Sequence, residues 1–345
     1  MMLAIHVKSG GFANSWVAYC RKNGIPFREV DCFASNIMEQ LRGCTALLWH
    51  WRHNDYRAAL SARQLIASVE TMGVRVFPDT PTSWHYDDKL GQKYLLEAIG
   101  APLIPTHVFY DSDTALAWLQ QAKFPLVWKL RSGAGSQNVR LVHTLAAARK
   151  IVARSFGRGW KPVRLHALRE RLWHFRKTPN LRGFVDIGRG IVRTFVPHEK
   201  DRNLPIERNY VYFQDFVPQN DSDIRVVVIG KRAFGIRRMV REGDFRASGS
   251  GVLKYDRAEI PLDCVALAFQ TTSALSAQAC AFDFVRDVSG WKIVEISYAF
   301  TAPAYYGCPG WWDSDLNWHD QPVRPEIFMI EDLLTQSSFA GELLG

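Results

Sequence analysis

The chain is 345 residues long, 47% hydrophobic and 22% charged, which allows two or three domains with sizeable cores and excludes a generally disordered polymer. Formal net charge is +9, from 43 Lys and Arg against 34 Asp and Glu. The excess is local, because residues 154–193 hold eleven basic side chains against two acidic ones. Such a block attracts a polyanion, a phosphate-bearing ligand or an anionic membrane surface, or else forms a solvated helical face.

Strand and helix signals alternate over the first eighty residues. Residues 3–7 read as a buried strand stopping at Ser9-Gly10-Gly11, and 15–22 as a helix ended by Gly24-Ile25-Pro26. Strands are predicted at 27–32, 44–51 and 74–77, with helices at 37–41 and 57–72. The alternation predicts an α/β domain built on a parallel sheet covered on both faces. A helix over 87–99 follows, ended by Gly100 and Pro102. Strands at 106–110, 126–130 and 139–142 come next, with a helix at 114–121 and another from Leu145. After the basic segment, strands are predicted at 210–217, 224–229 and 232–238, a helix over 262–280, strands at 282–285 and 291–296, and a helical tail over 325–344. No uncharged apolar run approaches the ~18 residues of a membrane-spanning helix, and the first sixteen residues lack the pattern of a secretory leader. Cys20, Cys32, Cys44, Cys264, Cys280 and Cys308 are scattered without a close pair. Reduced thiols in a cytoplasmic protein are therefore expected.

Four features in one order point to chemistry. Lys89 opens a helix, Lys129 ends a strand, and Arg131-Ser-Gly-Ala-Gly-Ser-Gln137 follows as a flexible loop. Last come Asp283 and Glu295, set in apolar strands at a hairpin-like separation. Charged residues are rarely buried unless paired or bound to metal, and Mg²⁺ bridged to phosphates suits two convergent carboxylates. Lysines supply point charges for phosphate oxygens, and a Gly-rich loop lets backbone N–H groups approach them. Together they read as a nucleoside-triphosphate site. A Walker-type loop is absent from the sequence, which disfavours a P-loop fold.

These residues resemble the ATP-grasp superfamily, and within it the RimK-like carboxylate–amine ligases, over about residues 77–296. Asp88-Lys89 with Gln92-Lys-Tyr-Leu-Leu96 and Gly100-Ala-Pro102 resembles the entry to that family's ATP domain, and Phe124-Pro-Leu-Val-Trp-Lys129 its phosphate-binding strand. Ser132-Gly-Ala-Gly-Ser136 is similar to its mobile phosphate loop, giving Ser132, Gly133, Gly135 and Ser136 as phosphate contacts. Phe213-Gln-Asp-Phe-Val217 resembles the hinge that holds adenine, through Gln214, Asp215, Phe216 and Val217. Asp223-Ile-Arg225, Ile229-Gly230, and Arg238 with Glu242-Gly-Asp-Phe-Arg246 follow at the family's spacing. Asp283 and Glu295 fall on its metal positions, and Ser297, a weaker oxygen ligand, stands where that family normally carries asparagine.

The resemblance implies an ATP-grasp fold preceded by a Rossmann-like domain. Its expected parts are residues 1–85, a smaller lobe over 86–212 that includes the basic insert, and a larger lobe over 213–345. It implies ATP and Mg²⁺ as cofactors, an acyl phosphate intermediate, and amide formation. Arg238 and Arg225 would stabilise charge on that intermediate, and Asp223 would meet a ribose hydroxyl. Two other readings of the same residues are an ATP-grasp kinase of a phosphorylated small molecule and a non-catalytic ATP-binding protein.

Substrates of parallel sheets bind beyond the strands' carboxyl ends, here at Ser9-Gly10-Gly11 and His50-Trp51-Arg52-His53. His50, Trp51 and His53, with Arg246 and with Trp311 from the aromatic run after the metal strand, are the substrate candidates. The expected substrates are a small or saccharide-linked acid and an amine, as in the modification of a surface-polymer precursor. In the basic segment Leu165, Leu168, Leu172 and Phe175 are spaced three, four and three apart, flanked by Arg164, Arg169, Arg171 and Arg176. That pattern suits an anionic membrane surface, a polyanionic acceptor or an oligomer contact. No compact nucleic-acid recognition motif accompanies it.

Overall fold

The computed structural model describes residues 2–8, 11–52, 55–133, 138–161, 205–240, 245–246 and 251–342. The amphipathic stretch and all of the basic segment beyond Lys161 lie outside the described residues, as do His53, Gly135, Ser136 and residues 242–244.

Three sheets carry the fold. Strands β1 (Leu3–His6), β2 (Phe27–Val30), β3 (Ala46–Leu48) and β4 (Arg75–Phe77) form a parallel sheet in the order β2-β1-β3-β4. Side chains alternate across it. Leu3, Ile5, Leu48 and Phe77 pack toward α1 (Ala13–Lys22), and Ala4, Leu47 and Val76 toward α3 (Tyr56–Thr71) on the other face. The sheet is covered on both faces, as the alternation predicts. The short α2 (Ile37–Gln40) precedes β3, and α4 (Thr80–Ser83), which the sequence reading did not anticipate, follows β4.

Helix α5 (Lys89–Ala98) begins where the Asp88 side chain accepts a hydrogen bond from the Gly91 amide at 3.1 Å, satisfying a donor the helix itself leaves open. It leads into a smaller lobe of β5 (Thr106–Phe109), α6 (Ser112–Leu119), β6 (Leu126–Lys129), β7 (Val139–Val142), α7 (Leu145–Phe156) and β8 (Val211–Asp215). Its strands are antiparallel in the order β5-β8-β6-β7. Asp111 and Thr144 cap the two helices, which bury Leu119 and Val152 against Trp128 and Phe213.

The larger lobe is a seven-stranded sheet of β9 (Ser222–Ile229), β10 (Arg232–Met239), β11 (Leu253–Lys254), β12 (Ala279–Asp287), β13 (Gly290–Ser297), β14 (Trp311–Asp313) and β15 (Trp318–His319). Its order is β13-β12-β9-β10-β14-β15, with β11 beside β10. Helix α8 (Leu262–Ala274) covers one face through Ile224, Val226, Val228 and Phe282. The expected helix over 262–280 is too long. Ser276 takes a left-handed φ of 51°, and the chain enters β12 at Ala279. The small apolar run through Cys280 suits either element locally, and pairing of Ala279 and Ala281 with Ile229 and Val227 decides it. Strands β11, β14 and β15 were likewise absent from the sequence reading.

The second face of this sheet carries Val227, Ile229, Phe234 and Ile236 into the same core as α1 and the last helix, α9 (Pro325–Glu342). Trp16 sits at the centre with no exposed surface, and its indole Nε1 donates to the Glu326 carbonyl at 3.0 Å. Trp16→Ala should destabilise the protein by about 3–5 kcal/mol, the usual cost of emptying such a site. Urea unfolding measures this, and a loss below about 1 kcal/mol would show that the joint does not depend on the indole.

Candidate active site

The three sheets surround one cavity of about 1190 Å³. Ile104, Val127 and Val294 give it an apolar slot beside Phe216 and Val217, next to the strand end that carries Gln214 and Asp215. Lys89, Lys129, Gly133, Asp223, Arg225, Arg238, Asp283, Glu295 and Ser297 line its middle, and Gly11, Phe12, His50 and Arg52 lie on the wall supplied by the parallel domain. Residues from Gly11 to Glu326 are thus brought to one space.

Strand register builds the middle of the cavity. Asp223 and Arg225 are two apart on β9 and so share a face. Arg238 lies opposite Asp223, Asp283 opposite Arg225, and Glu295 opposite Asp283. Cross-strand neighbours of opposite charge then meet. Arg225 donates from Nε to Asp283 Oδ1 at 2.5 Å and from its terminal nitrogen to Oδ2 at 2.7 Å. Arg238 donates from Nε to Asp223 Oδ1 at 2.6 Å and lies 2.9 Å from Asp283 Oδ2. Two guanidinium groups and two carboxylates form a neutral, nearly buried set. Burial would raise the Asp283 pKa, but Arg225 and then Arg238 outweigh it and hold the carboxyl well below the usual range. A β-bulge follows Asp283, where the register with β13 shifts before Phe284.

Both lysines are buried and each has a fixed partner. Lys129 donates to Gln214 Oε1 at 2.7 Å, and Gln214 is held in turn by Thr106 Oγ1 at 3.1 Å. Burial, only partly offset by Glu295, pulls Lys129 down to about 8. Lys89 donates to the Gly133 carbonyl at 2.8 Å and lies 3.4 Å from Glu295. Burial opposes its charge, yet Glu295 and Asp87 outweigh burial and raise its pKa. The start of the Gly-rich loop is pinned from below. Asp87 Oδ1 accepts from the Gly133 amide at 2.7 Å, and Ser132 donates its hydroxyl to Glu207. Asp87 and Glu207 were not anticipated. Asp87 sits in a left-handed conformation, φ 53°, and burial pushes its carboxyl up to about 7. Ser132 itself is not among the residues lining the cavity.

The substrate candidates separate. His50 lines the cavity, and its Nδ1 accepts from the Phe12 amide at 3.1 Å. Burial, reinforced by Arg52, lowers it to about 3, so the ring is neutral near pH 7. Gly11 has φ 143°, and a Cβ there would lie 2.8 Å from His50 Nδ1, so this approach needs a glycine. Arg246 also reaches the cavity. Trp51 and Trp311 do not line it. Trp51 is buried edge-on against Tyr86 at 4.6 Å, and Trp311 stacks on His319 at 4.1 Å. Both rings pack against other aromatic side chains outside the cavity lining, a distinction local sequence does not carry, because an aromatic face looks the same in a core as in a site. Asp215 meets His107 at 3.2 Å.

Asp283 and Glu295 fit a divalent cation. They are hard oxygen donors in direct register on one cavity wall, and Mg²⁺ needs only one or two carboxylates beside waters and phosphates. Ser297 is a poor third donor, since its hydroxyl donates to the Ala299 carbonyl at 2.8 Å and accepts from the Ala299 amide at 3.2 Å. Among the described residues no three His, Cys, Asp or Glu side chains gather as a metal site.

Comparison with known proteins identifies the fold. A family model described as a RimK-like ATP-grasp domain matches residues 189–301. A RimK domain ATP-grasp protein from Sphaerobacter thermophilus superposes with a TM-score of 0.51 at 16% identity, over 86% of this chain and 90% of that one. D-alanine–D-alanine ligase from Bacillus anthracis gives 0.54 at 13% identity, over 86% of each chain. The ATP-grasp ligase PsnB, solved with a minimal precursor, gives 0.57 at 12% identity, over 97% and 98%. No curated protein matches the sequence. The chain thus has the ATP-grasp fold, a match to a RimK-like ATP-grasp domain over residues 189–301, and a Rossmann-like parallel domain in front of the grasp. Among the described residues no helix is long and apolar enough to cross a membrane.

The neutral charge set gives a thermodynamic prediction. Arg238→Met leaves a surplus of buried negative charge and should cost about 3–5 kcal/mol. Adding Asp223→Asn removes that surplus and should recover part of the loss. Urea unfolding of both single variants and the double variant checks this, and strictly additive losses would show the four groups are not coupled.

Proposed function

We propose that the protein is an ATP-dependent ligase joining a carboxylate to an amine through an acyl phosphate. The observation that supports this best is the meeting, in one cavity, of an apolar slot, two buried lysines, two registered carboxylates and two arginines. ATP would lie with its base in the slot beside Phe216 and Val217 and its phosphates between Lys89 and Lys129. Asp283 and Glu295 would hold Mg²⁺, which when bound neutralises phosphate charge. With ATP so held, a substrate carboxylate attacks the γ-phosphorus and ADP leaves. The amine then attacks the acyl carbon, phosphate departs, and the amine loses a proton.

The chain's own part in this is positional and electrostatic. Lys89 and Lys129 fix the phosphates, and Arg225 and Arg238 face the charge that develops on the transferring group and on the tetrahedral adduct. In the free protein both arginines are neutralised by Asp223 and Asp283. Drawing Asp283 toward a cation would release guanidinium charge toward the substrate, so that metal and substrate would bind cooperatively.

Product analysis tests the reading. ADP should form with Mg²⁺ only when both an acid and an amine are present. ADP formation with a hydroxyl acceptor alone would indicate a kinase, and none under any condition a binding protein. Asp283→Asn with Glu295→Gln should abolish turnover. Because Asp283 also neutralises Arg225 and Arg238, the variant should lose about 3–5 kcal/mol of stability as well, and urea unfolding establishes that the protein assayed is folded.

Lys129 adds a pH dependence. Its folded pKa, about 8, lies below the ordinary lysine value, so above pH 8 the free protein has lost the proton that anionic phosphate requires. Affinity for a non-hydrolysable ATP analogue should therefore fall by up to about tenfold per pH unit above 8, with proton uptake on binding. Calorimetry in buffers of different ionisation enthalpy measures both. In Lys129→Met the slope should vanish, and an unchanged slope would remove Lys129 from the phosphate site.

A further inference from the structure

Glu326 faces the cavity and plays no part in the nucleotide reading. It stands in the first turn of α9 and is 3% exposed, yet it lines the cavity. Its Oε1 accepts from Ser15 Oγ at 3.1 Å and from the Tyr306 hydroxyl at 2.7 Å. Burial and the neighbouring carboxylate push the Tyr306 hydroxyl up to about 12, so it stays protonated and donates. Both donors are neutral. Among the described residues no Lys, Arg or His pairs with Glu326, and its Oε2 accepts from none of them. A carboxylate this deeply buried ordinarily has a cationic partner. The start of α9 favours negative charge there but supplies no counterion. Phe12, Phe300 and Tyr306 line the same cavity, the first two with ring centroids 5.4 Å apart. His50 stacks on one face of Phe12 at 3.8 Å and the Arg324 guanidinium lies 4.8 Å from the Tyr306 centroid, which leaves Phe300 and the second face of each of the other rings. Aromatic faces attract an organic cation, and a carboxylate at the bottom of such a recess fixes its charge.

We propose that Glu326, with Ser15 and Tyr306 holding it, is the recognition site for a cationic amino group carried by the substrate. The charged end of the amine component enters the recess between α1 and α9 and supplies the counterion that Glu326 lacks. Selectivity follows from the chemistry. An ammonium group is accepted, whereas its N-acetyl counterpart leaves the buried carboxylate unpaired and is refused. This inference rests on the ligase reading for the amine's purpose, but not for its binding.

The test uses ethanolamine, glucosamine and glycinamide, each paired with its N-acetyl derivative, with binding to the full chain followed by ligand-observed NMR at millimolar concentration. In the wild type at least one amine should bind tenfold or more tightly than its acetylated partner. Glu326→Gln keeps an acceptor for Ser15 and Tyr306 and should erase that preference, whereas Glu326→Asp, which keeps the charge, should retain it. Melting temperatures establish that the variants are folded. If no amine is preferred by the wild type, or if the preference survives in Glu326→Gln, the proposal is wrong. Affinity for a non-hydrolysable ATP analogue is measured alongside and should be the same in wild type and Glu326→Gln. Failure of the analogue to bind either protein would overturn the ATP reading while leaving the amine comparison intact.

Discussion

The active cavity depends on one electrostatic arrangement, the cross-strand pairing of Arg225 with Asp283 and of Arg238 with Asp223 on the inner face of the large sheet. Four charges on neighbouring strands would be intolerable in isolation at this depth. Arranged as alternating donors and acceptors, they satisfy one another and leave a polar floor that a ligand can reorganise. Glu295 and Lys89 extend the same pattern to the edge strand and to the first turn of α5. The set is neutral, so a cation or a phosphate entering the cavity exchanges one charged partner for another and desolvates no lone ion.

That floor exists because a single strand face changes character along its length. On β9 the face begins with Asp223 and Arg225 and ends with Val227 and Ile229, which join the core shared with α1 and α9. The apolar end fixes the large sheet to the parallel domain, and the charged end is left facing the gap between them. Trp16 secures that joint by burying its ring and donating to the first turn of α9. Packing of the hydrophobic joint and geometry of the charged site are therefore coupled, since both are set by one register.

Much of the fold was legible in the sequence, because alternating strand and helix signals ended by Gly and Pro have few other readings. Asp283 and Glu295 stood out because carboxylates inside apolar strands need a partner. That Arg225 and Arg238 are those partners in the free protein was not legible, since it depends on strand order β12-β9-β10, which no local pattern encodes. Residues 275–280 were read as helix because small apolar residues are compatible with either element, and tertiary pairing decides. Trp51 and Trp311, substrate candidates by sequence, lie outside the cavity lining. Glu326 went unnoticed because an acid in the first turn of a C-terminal helix looks like ordinary dipole compensation until its burial is seen. Asp87 and Glu207, which hold Gly133 and Ser132 at the start of the Gly-rich loop, carry no signature beyond their proximity to it in space.

We infer that a nucleoside triphosphate occupies the cavity between the two grasp lobes. Amide hydrogen exchange with and without Mg²⁺ and a non-hydrolysable ATP analogue tests it most directly. The account predicts added protection over 126–129 and 214–217, with the start of α5 protected through Lys89, and little change in the outer strands β2 and β15. Binding without protection of those segments, or protection confined to the parallel domain, would contradict it.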